Sequence, residues 1–153
     1  MPARSAGVLA FRRRGGALEV LLVHPGGPFW RNKDAGAWSI PKGEFGADES
    51  AEAVARREFA EELGTELTAP LIPLGEIRQR GGKMVEAFAA ETDLHADAIV
   101  SNTFELEWPP RSGRLQHFPE VDRAAWFDLA EARTRINPAQ AALLDRLVEI
   151  GGG

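Results

Sequence analysis

The chain has 153 residues, 44% hydrophobic and 27% charged, with a formal net charge of −5 and a pI near 5.3. That composition fits one globular domain over residues 1–153 and excludes a general nucleic-acid binder, whose surface would be basic. No apolar run approaches the roughly 18 residues of a membrane helix, and the lack of cysteine excludes disulfides, thiolate zinc sites and a cysteine nucleophile.

The first fourteen residues, MPARSAGVLAFRRR, contain no apolar stretch of signal-peptide length, so an unprocessed, cytoplasmic protein is expected. Residues 5–13 alternate loosely and predict a strand, 14–16 a turn, and the mostly apolar 19–24 a second strand covered on both faces. Residues 25–37 form a loop that carries Phe29 and Trp30. Residues 38–41 are extended, and Pro41 steers Ile40 away from helical backbone. A helix then begins near Asp48, a good N-cap, with Glu49 and Glu52 at the positive end of its dipole. Gly64 stops it. On a helical wheel Ala51, Ala55, Phe59 and Leu63 form the core stripe, Glu58 and Glu62 fall beside Ala51, and Glu61 falls beside Val54.

Residues 71–78 and 83–91 read as a hairpin around Gly81 and Gly82, while 95–99 shows no clear pattern. Residues 104–108 alternate as a strand, 109–118 form an arginine-rich loop, 124–127 a last short strand and 129–135 a short helix. Asn137 caps a C-terminal helix with Pro138 at its first position and Ala141, Leu144, Leu147 and Val148 on its apolar face. Residues 151–153 read as a frayed tail.

Glu58, Glu61 and Glu62 lie at i, i+3 and i+4. Like charges at that spacing destabilise a helix by roughly a few tenths of a kcal/mol per pair. Placed beside a buried stripe, they point to a compensating hard cation, which takes oxygen ligands.

The stretch from Gly43 through Glu49, Arg57, Glu58, Phe59, Glu61, Glu62 and Gly64 to Thr65 resembles the Nudix box, Gly-x5-Glu-x7-Arg-Glu-U-x-Glu-Glu-x-Gly-U, where U is bulky and usually aliphatic. Phe59 supplies a ring at the first U, and Thr65 departs from the last, a position that packs under the helix in the family. The resemblance implies an α/β fold, a Nudix α/β/α sandwich around a mixed sheet, and hydrolysis of a phosphoanhydride. It implies Mg²⁺, with Mn²⁺ as a substitute, on Glu58, Glu61 and Glu62, and a further ligand from the backbone near Lys42. The resemblance further implies an orienting salt bridge between Arg57 and Glu49 and structural roles for Gly43 and Gly64.

Outside the box, residues 38–43 (WSIPKG) resemble the W-x-x-P-K-G entry of the asymmetrical dinucleoside tetraphosphate hydrolases and of the diphosphoinositol polyphosphate phosphohydrolases. Lys83, Val85 and Phe88 resemble the K-x-V-x-x-aromatic strand of the former, whose lysine contacts phosphate. Glu120, six residues before Trp126, resembles a glutamate that ligates metal or activates water. Lys42 and Lys83 are thus phosphate contacts, with Arg111 and Arg114 as clamps. His117 stacks on a base, titrates near the chemistry or is simply exposed; Trp30 stacks on a base or plugs the core; Glu86 is catalytic or a plain surface residue; Trp38 supports the core more than it stacks.

The implied substrate is a dinucleoside polyphosphate such as diadenosine tetraphosphate, with a nucleoside triphosphate or a diphosphoinositol polyphosphate as alternatives. A non-catalytic nucleotide-binding module is a further alternative. No nucleic-acid or membrane partner is expected, and the chain is read as a monomer or homodimer.

Overall fold

The computed structural model describes residues 4–152. The first residues of the expected unprocessed N-terminus, 1–3, and the last residue of the expected frayed tail, 153, lie outside the described residues. The strands are β1 (Arg4–Arg14), β2 (Ala17–Pro25), β3 (Lys42–Phe45), β4 (Ile72–Arg78), β5 (Met84–Glu91), β6 (Thr103–Glu107), β7 (Leu115–Pro119) and β8 (Val121–Asp128). The helices are α1 (Ala51–Leu63), α2 (Leu129–Arg135) and α3 (Ala142–Leu147).

Among the described residues a six-stranded mixed sheet runs in the order β4-β5-β1-β2-β8, with β3 also paired to β1, and β6 and β7 form a separate two-stranded sheet. β1 is parallel to β5 and divides its other edge between two partners. Residues 4–7 pair with β3, and residues 11–14 pair with β2. Alternation then feeds two cores. Ala6, Val8 and Ala10 face Val54, Ala55, Phe59 and Leu63 of α1, while Leu9 and Phe11 face Leu143, Leu144 and Leu147 of α3. The result is the expected α/β/α sandwich.

Several boundaries differ from the sequence reading. Ser50, not Asp48, caps α1, its side chain accepting from the Ala53 N–H at 3.3 Å. Gly64 closes the helix in the left-handed conformation, φ 71°, as glycine readily does. Thr65 is exposed and does not pack under the helix; Leu67 fills the core beside it. Residues 42–45 form a strand because they complete the β1 ladder. Residues 115–119, read as loop, pair with β6, and the last strand extends over Val121–Asp128. The unassigned stretch near residue 97 is a single 3₁₀ turn, Ala96–Ala98. Asn137 does cap, its side chain accepting from Ala139 N–H, but it starts a 3₁₀ turn, Pro138–Gln140, and α3 follows. On α3 the apolar face includes Leu143, and Val148 is exposed.

Gln140 joins three segments from a fully buried position. Its side-chain oxygen accepts from the Ile40 N–H at 3.1 Å, and its amide nitrogen donates to Ser39 Oγ and Gln79 Oε1, each at 3.0 Å. Replacing it with leucine leaves the Ile40 donor buried without a partner, which costs about 1–3 kcal/mol. Urea denaturation of Gln140→Leu should show a lower midpoint with an unchanged slope; an unaltered midpoint would contradict this role.

Candidate active site

β3 lays Lys42, Gly43 and Glu44 along the first half of β1, and α1 returns across that strand. Phe59 and Leu63 are fully buried and fix the helix, so its adjacent carboxylates meet β3. Glu62 is 9% exposed, and its Oε2 accepts from the Lys42 N–H at 3.1 Å. The Glu58 carboxylate rests on the backbone of Gly43; a Cβ there would overlap it. Gly43 is therefore a cradle for a functional side chain. Glu61 is exposed on the outer turn beside Glu58, whose carboxyl it helps to raise by repulsion. Arg57 donates to Glu49 Oε2 at 2.9 Å, the salt bridge that the resemblance implied. Glu49 also accepts from the Gly46 N–H at 3.0 Å, so this pair braces the approach to α1. The Gly46 amide first, and then Arg57, holds the Glu49 carboxyl below the usual carboxylate range.

Glu58 and Glu62 line a cavity of 330 Å³ with Lys42, Lys83 and Glu120. Glu120 stands in the turn before β8, its own N–H donating to the Asn102 carbonyl at 2.9 Å. Burial, then the charge of Glu58, pushes Glu62 up to about 8. Burial, then Glu61, pushes Glu58 up to about 7, and Glu120 adds to both. Lys42 is held below the usual lysine value by burial and by Lys83, and Lys83 donates to Glu44 Oε2 at 3.0 Å, drawing that carboxyl down.

This donor set fits a hard divalent cation: it consists of oxygens, and it contains buried carboxylates that repel one another. Glu58 and Glu62 are the side chains that would hold it, and Glu120 faces them across the cavity. Among the described residues no three acidic or histidine side chains already stand at metal-ligating geometry, so the oxygens face a shared cavity without meeting at a point.

Other expected positions lie elsewhere. Arg111, Arg114 and His117 are exposed on the β6–β7 hairpin, outside the carboxylate cavity, and His117 Nε2 sits 3.3 Å from Glu105. Glu86 faces Arg4 at 3.5 Å and does not line the cavity. Trp38 is buried and donates to Asp34 at 2.8 Å, a core role. Trp30 lines a second cavity, of 500 Å³, with Arg80 and Asn137. A recess of similar volume between Trp38 and Phe127 holds arginines already paired, Arg135 with Asp34 and Arg123 with Asp122 at 3.7 Å. Sequence reasoning missed Ser5, Glu44 and Asn102, which reach the carboxylate cavity through strand register and a loop crossing.

A NUDIX domain family model matches residues 1–147. The fold is similar to the NUDIX domain of Shewanella oneidensis NrtR solved with ADP ribose, at 18% identity and a TM-score of 0.68 over 98% of this chain and 88% of that chain. It is similar to a Caenorhabditis elegans Ap4A hydrolase at 19% identity and a TM-score of 0.66, over 95% and 96% of the two chains. It is also similar to a mutT/nudix family protein from Listeria innocua at 21% identity and a TM-score of 0.65, over 98% and 94%. No curated protein matches the chain.

The raised carboxyls link folding to pH. Without a cation Glu62 binds a proton on folding, because its folded value of about 8 exceeds its ordinary 4.5. The associated stability is complete below the ordinary value and is lost as pH rises through about 8. In chelator, the melting temperature should therefore fall between about pH 5 and pH 8.5, and millimolar Mg²⁺ should offset the fall. Glu62→Gln should flatten the slope between about pH 7 and pH 8.5, leaving the part below pH 7 that Glu58 supplies. A slope of equal size in that variant would place its origin elsewhere.

Proposed function

We propose that this chain, which belongs to the NUDIX family of phosphoanhydride hydrolases, cleaves a nucleoside polyphosphate, with a dinucleoside polyphosphate such as diadenosine tetraphosphate as its substrate. One observation carries the substrate class. The turn between β4 and β5 stands between two cavities, with Lys83 on the carboxylate side and Arg80 beside Trp30 on the other. A polyphosphate thus finds ammonium groups where its charge lies, and a nucleoside finds an indole within reach of the same turn.

In this reading Lys42 and Lys83 bind the phosphates, and Glu58 and Glu62 hold Mg²⁺. When bound, the cation neutralises phosphoryl oxygens and lowers the pKa of a coordinated water. Glu120 faces the cavity from a separate turn and accepts the proton of the attacking water. One phosphoanhydride bond breaks as one phosphorus–oxygen bond to water forms, giving two phosphorylated products. Glu61, on the outer turn beside Glu58, is the third carboxylate of the cluster toward the cation. A diphosphoinositol polyphosphate suits the cavity less well, because Glu44, Glu58, Glu62 and Glu120 outnumber Lys42 and Lys83.

Purified protein with Mg²⁺ should convert diadenosine tetraphosphate to ATP and AMP, resolved by mass spectrometry within a panel that includes ADP-ribose and nucleoside triphosphates. Glu62→Gln should lower kcat by about a hundredfold or more while the protein stays folded. Lys83→Ala should raise KM on the order of tenfold with kcat retained, as expected for a lost charge-assisted contact. Binding of nucleotide with no hydrolysis across the whole panel would overturn the reading in favour of a non-catalytic module.

A further inference from the structure

His24 is fully buried, yet the chemistry above does not use it. It ends the regular pairing of β2, where the register with β8 shifts between His24 and Pro25. Its Nδ1 lies 2.8 Å from Asp122 Oδ1, and its Nε2 lies 2.6 Å from the Lys33 carbonyl oxygen. A backbone carbonyl only accepts, and so does an ionised carboxylate. The ring therefore stands between two acceptors, one on β8 and one on the 26–37 loop, at hydrogen-bonding distance from each. Trp38 packs edge-to-face with the His24 ring, centroids 5.2 Å apart, and adds an apolar contact to the two polar ones.

The two hydrogen bonds reach two parts of the site. Lys33 belongs to the 26–37 loop that carries Trp30. Asp122 begins β8 directly after Glu120 and Val121. The next residues along the chain continue the link. Pro25 lines a recess of 170 Å³ with Lys42, Glu62 and Glu120, and the Gly26 N–H donates to the Glu120 carbonyl at 3.0 Å. Gly26 has room for no side chain, since a Cβ would overlap the Pro119 carbonyl.

From this geometry we propose that His24, as a clasp between Asp122 and Lys33, is a positioning residue that sets where Glu120 and the Trp30 loop stand relative to the carboxylate cavity. The proposal rests on the reading of Glu120 and Trp30 given above, but its physical core does not. The clasp has two separable arms. A glutamine at this position extends its amide toward the Lys33 carbonyl, and an asparagine keeps a donor near Asp122.

The test uses the whole protein. In His24→Ala, hydrogen exchange at the Gly26 amide should rise tenfold or more while α1 amides keep their rates. A uniform rise across α1, or no change at Gly26, would reduce His24 to a core-filling residue and overturn the positioning role. In turnover, His24→Gln should lower kcat about tenfold with KM held, and His24→Asn should raise KM about tenfold with kcat held. Equal effects of the two variants would likewise overturn it. Should no nucleotide be hydrolysed by the wild-type protein, the Gly26 exchange still decides the matter.

Discussion

The structure depends on the burial of a carboxylate. Glu62 sits on the edge of the α1 core stripe, where its Oε2 has the Lys42 amide as partner and Glu58 as a repelling neighbour. That position is unfavourable for a charge, and it is held by apolar packing one residue to the C-terminal side and three to the N-terminal side. Leu63 and Phe59, both fully buried, are each worth about 1.5–3 kcal/mol of burial. The helix cannot rotate Glu62 outward without exposing them. Hydrophobic packing thus keeps a poorly solvated carboxylate aimed at β3, the condition under which a cation gains most by arriving.

The division of β1 between β2 and β3 gives this helix something to face. Had β2 paired along all of β1, no short strand would present the Lys42 amide and the bare backbone of Gly43 beneath Glu62 and Glu58. The same division spreads the site over separate pieces of chain. Carboxylates come from α1, cations from the start of β3 and the turn before β5, and Glu120 from the turn before β8. The rigid contributors are strand and helix, and the residues that differ in reach, Trp30 and Arg80, stand on connecting segments.

What was legible in the sequence follows the range of the interaction. The box residues lie within one helix and its approach, so the spacing of Glu58 and Glu62 and the Gly64 stop could be read directly, and the Arg57–Glu49 pair followed from the resemblance of the box. The helix start was misplaced because Asp48 and Ser50 are both good capping residues, and only the backbone of the preceding turn decides between them. Residues 115–119 were obscured by the proline, arginine and glycine before them, and their pairing with residues 103–107 is tertiary. Ser5 and Glu44 enter the cavity as register partners on adjacent strands, information absent from either segment alone. His24 was unreadable for the same reason: Asp122 is 98 residues away.

The hairpin of β6 and β7 shows how a segment rich in suggestive side chains acts at second hand. Arg111, Arg114 and His117 point to phosphate recognition by composition, yet they stand outside the carboxylate cavity. The hairpin reaches the site through its ends. β7 finishes at Pro119, immediately before Glu120, and Trp108 packs edge-on against Phe29, the neighbour of Trp30, with centroids 6.0 Å apart. The Glu120 N–H is bonded to the Asn102 carbonyl just before β6, so both strands of the hairpin converge on this carboxylate. The hairpin, the Trp30 loop and the His24 clasp therefore share one mechanical target, the turn that holds Glu120. The box fixes the carboxylates on α1, whereas the placement of the carboxylate opposite them is set by residues far from the box.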